Sequence, residues 1–416
     1  MTALQLLIYI SCALVLQVLV GLGLAVQRRR RLLTGKPADL APVPSLVTSA
    51  AWPGWREFRV IRRVFEDSDK TQCSFYMSPV DGLPLPPFKP GQYLTFSLNV
   101  NAASEGNLQA QRSITRCYSL SDGPNPDGYR VTIKRVPSPR GHPELPAGLS
   151  SGHFHDQVRG GEILKVKAPS GQFFIDPDPA TSAVLVAGGI GITPMMSMLR
   201  WCLAEQPQRT VFLYYGLRHG GEHAFKQVLG DLAQKHPNFQ LRVVYSSARP
   251  DDVAGRDYQH AGHVDIDLLR RTLPLGPHQF YVCGPAPMMA SLVPALGIWG
   301  VPTRDIRYEA FGPACVPPAP LNKTTPASDE TSAFEIRFAR SGRTIVWDGR
   351  DANLLDFSER HGVAVDSGCR SGSCGSCETR LVCGTVLYGH LPDHEIAPGH
   401  CLLCVGVPQT ALVLEA

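Results

Sequence analysis

The hydrophobic pattern changes character several times along the chain. Residues 4–26 are 23 consecutive positions, mostly Leu, Val, Ile and Ala, and no charge occurs between Thr2 and Gln27. A helix of that length spans roughly 34 Å, against a hydrocarbon core of about 30 Å. Arg28, Arg29, Arg30 and Arg31 follow at once. A secretory leader carries its charge before the apolar run, not after it. Residues 1–27 are therefore expected to form a single-pass transmembrane anchor, N-terminus outside, with all that follows in the cytoplasm. Residues 28–52 lack periodicity from Thr34 onward and read as a tether. Over 53–178 the pattern is short strand-like runs at 58–65, 93–98, 115–120, 129–136 and 163–167, separated by Gly and Pro turns. That spacing predicts an antiparallel β-barrel, with polar 99–111 as a loop.

From Ser182 the period changes again. An apolar strand at 182–187 runs into Gly188-Gly189-Ile190-Gly191-Ile192-Thr193-Pro194 and then a helical stretch at 195–203. Thr193 is expected to cap that helix, with Pro194 at its first position. Strands at 210–215, 241–245 and 279–283 alternate with helices near 224–235 and 266–272. Residues 179–312 thus read as an α/β domain with a parallel sheet. Residues 313–332 read as a linker. Residues 333–416 form a third domain, with strands at 334–339 and 344–347 and a helix near 353–361.

Composition adds two limits. With 44% hydrophobic and 18% charged residues, the chain is built of packed domains. The net charge of +4 equals what the four arginines at 28–31 supply, so the remainder is near neutral and no nucleic-acid partner is expected.

The chemistry sits in three places. Cys369, Cys374 and Cys377 form C-x4-C-x2-C, the plant-type 2Fe–2S spacing, with a fourth Cys needed downstream. Cys404 and Cys401 compete for that place. A zinc site is the less favoured reading of these cysteines. Gly189 and Gly191 let a diphosphate approach backbone at a helix N-terminus. At Arg116-Cys117-Tyr118-Ser119, an Arg fork suits a pyrophosphate, a Tyr ring can stack on a heterocycle and a Ser hydroxyl can bond a ring nitrogen. His153 and His155 read as polar loop residues rather than metal ligands.

Together with Phe88-Lys89-Pro90-Gly91-Gln92-Tyr93 and Gly148-Leu149-Ser150-Ser151, these elements resemble the ferredoxin–NADP reductase family, fused to a C-terminal plant-type ferredoxin domain of β-grasp fold. The resemblance covers residues 53–416 and favours FAD. It implies that Arg116 and Ser151 hold the flavin phosphates, that Tyr118 packs on the flavin ring and that Ser119 sits near its N-5 nitrogen. It places Cys283-Gly284-Pro285 beside the nicotinamide and Phe311 over the flavin. NADH is expected before NADPH, with Arg218, Ser246, Ser247 and Arg249 the residues that could meet a 2′-phosphate. The family's apolar run before the last cysteine, with Pro408 after it, favours Cys404 as fourth ligand. The implied function is an electron relay from NADH through FAD and 2Fe–2S to a membrane-associated oxygenase, hydroxylase or desaturase. A direct quinone or oxygen reductase and a tethered 2Fe–2S redox sensor are the alternatives.

Overall fold

The computed structural model describes residues 51–104, 107–138, 147–311 and 334–416, apart from 371, 373, 390, 391 and 393. The proposed anchor, most of the tether and the linker at 313–332 lie outside the described residues.

Six antiparallel strands make the first layer: β1 (Arg56–Phe65), β2 (Gln72–Pro79), β3 (Tyr93–Ser104), β4 (Asn107–Ser119), β5 (Tyr129–Lys134) and β6 (Ile163–Ser170), in the order β4-β3-β6-β1-β2-β5. A bridge from Leu120 to Val131 brings the two edge strands together, as barrel closure requires. Alternate residues Leu94, Phe96 and Leu98 point into a core shared with Phe58, Phe75 and Phe154. Residues 99–111, expected as a loop, extend the β3–β4 hairpin instead: Asn99 pairs with Ser113 and Asn101 with Gln111. Backbone pairing carries these strands beyond the reach of the apolar pattern. His153 and His155 lie not in a loop but on a helix, Leu149–Asp156. The buried His155 ring bonds the Ile133 carbonyl at 2.9 Å.

The second layer is a fully parallel sheet of β7 (Ser182–Gly188), β8 (Val211–Leu217), β9 (Phe239–Tyr245), β10 (His260–Ala261), β11 (His278–Gly284) and β12 (Ile306–Ala310), in the order β10-β9-β8-β7-β11-β12. The order reverses at β7, so a crevice opens at the carboxyl ends of β7 and its neighbours. Its two faces are covered by separate apolar clusters, around Met195 and Leu199 on one side and Leu268 and Leu292 on the other. The turn after β7 is a 3-10 segment, Gly189–Gly191, and the helix runs Ile192–Glu205 with Gly191 at its cap position. Thr193 is therefore inside the first turn rather than at the cap, and its hydroxyl donates to the Ile190 carbonyl at 3.1 Å.

The third part carries β13 (Phe334–Phe338), β14 (Arg343–Trp347), β15 (Glu378–Cys383), β16 (Val386–Tyr388), β17 (His400–Leu402), β18 (Gly406–Pro408) and β19 (Leu412–Leu414). Five of them form a mixed sheet, β14-β13-β19-β15-β17, with β13 and β19 parallel. The helix Leu354–Arg360 packs Leu355 and Phe357 against it, and the Asn353 side chain caps it by accepting from the Asp356 amide.

The membrane anchor is corrected as well. Among the described residues no helix is long and apolar enough to cross a membrane. The helix Ile192–Glu205, with 14 residues, spans only about 21 Å. The transmembrane helix, the single-pass placement and the cytoplasmic location of the catalytic domains were inferred from hydropathy at 1–27 alone. Apolar character measures transfer preference and does not itself demonstrate a spanning helix, so those assignments are not retained.

Candidate functional site

The barrel, the parallel sheet and the cysteine loop meet around one cleft of about 1130 Å³. That is at the upper end of ligand pockets, which run roughly 300–1,000 Å³, and is roomy enough for an extended dinucleotide. Arg116, Tyr118 and Ser119 reach it from β4, Ser151 from the helix Leu149–Asp156, and Thr193 from the nucleotide side. Phe311 also lines it.

The β4 residues divide between two faces of the barrel wall. Tyr118 pairs with Leu94 and packs edge-on against Phe154, while Ser119 pairs with Tyr93 on the opposite face. The Tyr118 hydroxyl shares a 2.7 Å hydrogen bond with Ser150, a residue the sequence reading did not single out, and burial pushes the phenol up to about 12. The Ser151 hydroxyl donates to the Gly148 carbonyl at 3.0 Å and accepts from the Val136 amide at 3.1 Å. The exposed Arg116 guanidinium donates to the Thr115 and Ser367 carbonyls.

Ser119 Oγ and Glu309 Oε2 are buried polar atoms close to one another, with no other hydrogen-bond partner on the protein. Such a polar pair fits a polar ring edge better than an apolar core. Glu309 lies on β12 directly opposite Cys283 on β11. Burial, with Cys369 adding repulsion and nearby Ser119 opposing it, pushes its carboxyl up to about 8. Sequence reading missed Glu309. The sequence singles out Phe311 two positions on, but nothing local separates a buried acid from an exposed one.

Cys283 is fully buried and its thiol is held well above the usual range by burial. It does not line the cleft; nor do Gly189, Gly191, Gly284 or Pro285. These residues form the turns beneath it. A side chain on Gly191 would collide with the Cys283 carbonyl oxygen, and one on Gly188 would meet the Pro285 ring. Both turns thus depend on the absence of Cβ, which leaves backbone close to whatever lies above.

The cysteine loop reaches the same cleft through Cys369 and Arg370. The four predicted thiols converge. The Cys369 amide points at Cys374 Sγ at 3.2 Å, the Cys374 amide at Cys369 Sγ at 3.3 Å, and the Cys404 amide at Cys377 Sγ at 3.4 Å. Cys404 Sγ also lies within reach of Cys369. Two thiol pairs joined in this way fit a two-iron body, with amides aimed at the sulfurs. Among the described residues no three His, Cys, Asp or Glu side chains are grouped to hold a single metal ion. Cys401 is buried beside this group, on β17 opposite Thr379, and burial pushes its thiol up to about 12. Cys383 is exposed.

The candidate 2′-phosphate residues are already engaged. Arg218 pairs with the Glu222 carboxylate, and Arg249 with Asp69 at 2.7 Å. A phosphate would have to compete with a carboxylate for each guanidinium, which favours the unphosphorylated nucleotide.

Comparison with known proteins agrees with this architecture. Residues 185–293 match the family model described as oxidoreductase NAD-binding domain, and residues 336–409 match the 2Fe-2S iron-sulfur cluster binding domain. The chain is an oxidoreductase of the ferredoxin-reductase type, and its cofactors are FAD, NADH and a 2Fe–2S cluster. It is 37% identical over 265 residues to the flavohemoprotein of Rhizobium meliloti (strain 1021), covering 64% of this chain and 62% of that protein's length. Among solved structures it is similar to the flavohem-like FAD/NAD-binding domain of nitric oxide dioxygenase from Vibrio cholerae O1 biovar El Tor, with 30% identity and a TM-score of 0.53, covering 62% of this chain and all of that one. Phthalate dioxygenase reductase, described as a modular structure for electron transfer from pyridine nucleotides to [2Fe-2S], matches 87% of this chain and 98% of its own at 26% identity, with a TM-score of 0.51.

Proposed function

We propose that this chain is the reductase component of an oxygenase or hydroxylase system, drawing electrons from NADH and handing them singly to that partner. The observation that carries the reading is the shared wall of the cleft: Cys369 and Arg370 of the cysteine loop line the same space as Tyr118 and Ser119 of the barrel. Bound FAD converts the two-electron chemistry of NADH into single-electron steps, and a 2Fe–2S centre carries one electron at a time.

The chain's own residues supply position and charge. Arg116 offers a guanidinium to the flavin diphosphate, beside the helix that starts at Leu149. Tyr118, fixed by Ser150 and Phe154, gives a rigid wall for the ring. Ser119 and Glu309 would offer a hydroxyl and a carboxyl to the polar edge of the flavin ring. Gly189 and Gly191 would bring backbone amides toward the nucleotide diphosphate. Phe311, which lines the cleft, would cover the flavin. Cys369, Cys374, Cys377 and Cys404 would hold the cluster. The likeness to phthalate dioxygenase reductase over both chains supports an oxygenase as the class of acceptor.

Cys374→Ser tests the order of the relay. The variant is expected to lose the 2Fe–2S EPR signal and at least 90% of its cytochrome c reduction while keeping NADH–ferricyanide turnover, because only one route depends on the cluster. Undiminished cytochrome c reduction would show that electrons leave directly from the flavin.

A further inference from the structure

The outer face of the barrel carries a row of three residues beneath the cysteine loop. Thr95 on β3 pairs laterally with Cys117 on β4 and with Lys167 on β6. Cross-strand partners share a face, so the three side chains lie side by side. The row is on the face away from the Leu94–Phe96 core. Lys167 Nζ donates to the main-chain carbonyl of Cys374 at 3.0 Å and lies 5.2 Å from the centre of the Trp55 ring. Thr95 Oγ1 is 3.4 Å from Cys117 Sγ. One strand position away, Arg116 donates to the Ser367 carbonyl at 3.3 Å, just ahead of the same loop. One cluster-loop residue thus receives an ammonium on its carbonyl from the flavin barrel.

We propose that Lys167 is a positioning residue that raises the reduction potential of the cluster while the ferredoxin part is seated on the barrel. The physical reason is charge. Reduction adds one negative charge to the cluster and its thiolates. A nearby cation stabilises the more negative state. Lys167 does not belong to the ferredoxin part, so the effect exists only in the seated arrangement. Linkage then makes the coupling reciprocal: whatever factor seating adds to reduction, reduction adds to seating. The seat favours receipt of an electron, and a ferredoxin part that has left the seat is the stronger reductant toward its partner.

This inference rests on the relay reading above. The test is an EPR-monitored redox titration of the full-length holoprotein, with the flavin potential followed in parallel. Lys167→Gln is expected to lower the equilibrium constant for cluster reduction about tenfold, equivalent to about 59 mV for a one-electron couple. Lys167→Arg keeps the charge and is expected to restore it, with the flavin potential unmoved. A normal cluster signal with the same potential in Lys167→Gln would overturn this inference and leave the relay intact. Equal shifts in Lys167→Gln and Lys167→Arg would also overturn it, since charge would then not be the cause. A wild-type holoprotein without any 2Fe–2S signal would overturn the relay itself.

Discussion

His223 shows how far burial moves a single group. It sits beneath the seam of the barrel and the parallel sheet, with Nδ1 2.7 Å from the Tyr245 hydroxyl and Nε2 without a hydrogen-bond partner. Burial, assisted by Lys226 and opposed by Asp257 and Asp252, lowers its pKa to about 3. The folded state therefore holds it neutral, while the unfolded chain takes up a proton below about 6.5. Its contribution is complete above that value and is lost progressively as pH falls toward 3. Between pH 7 and pH 5 this residue is expected to cost about 2 kcal/mol of stability. Urea denaturation at the two pH values checks it: the acid-dependent loss should shrink by that amount in His223→Gln. The same physics acts on Glu309, where burial beside Ser119 keeps a carboxyl protonated well above its usual range.

The turn between β7 and the helix Ile192–Glu205 is the element on which nucleotide binding depends. Gly189 has φ +53°, which disfavours a side chain, whereas Gly191 is required by space: its Cα faces the Cys283 carbonyl on the neighbouring strand. Gly191→Ala forces backbone against backbone, and no rotamer can relieve it. The expected cost is about 1–3 kcal/mol, with weaker NADH binding. Thermal unfolding and a nucleotide titration measure both. The β3–β4 hairpin illustrates the opposite case. Its outer half is polar, and pairing alone carries it well beyond the barrel core.

At the scale of the whole molecule, the barrel and the parallel sheet are joined by polar contacts as well as packing. The Asp69 amide donates to the Gly221 carbonyl at 3.0 Å, and Gln72 Nε2 to the Glu222 carbonyl at 2.8 Å. The Arg249–Asp69 pair is solvent-exposed, so screening leaves it little effect on stability. Its larger consequence is for selectivity. Asp69→Asn releases the Arg249 guanidinium and is expected to raise the NADPH-to-NADH ratio of kcat/KM about tenfold, since a charge-assisted bond adds roughly 1.5–3 kcal/mol. Steady-state kinetics with both nucleotides, alongside an unchanged melting temperature, checks this.

Several parts of this molecule were legible in the amino-acid sequence because their cause is local. The C-x4-C-x2-C spacing sets three thiols on one short loop. The apolar strand before Gly188 and the helix after Gly191 follow from neighbouring residues. The period of the 266–272 helix appears in its own apolar positions. Strands β2 and β12 were missed because their partners, not their patterns, define them. Thr193 looked like a cap because the sequence does not reveal that a 3-10 turn precedes the helix. The hydropathy of residues 4–26 was legible too, but hydropathy alone did not demonstrate a spanning helix. Only the tertiary structure set Glu309 against Ser119, engaged Arg218 and Arg249 with carboxylates, and laid Lys167 against the loop of Cys374, 207 residues away. Secondary structure follows from short-range sterics and periodicity, whereas charge environment and electron-transfer contacts depend on which distant surfaces pack together.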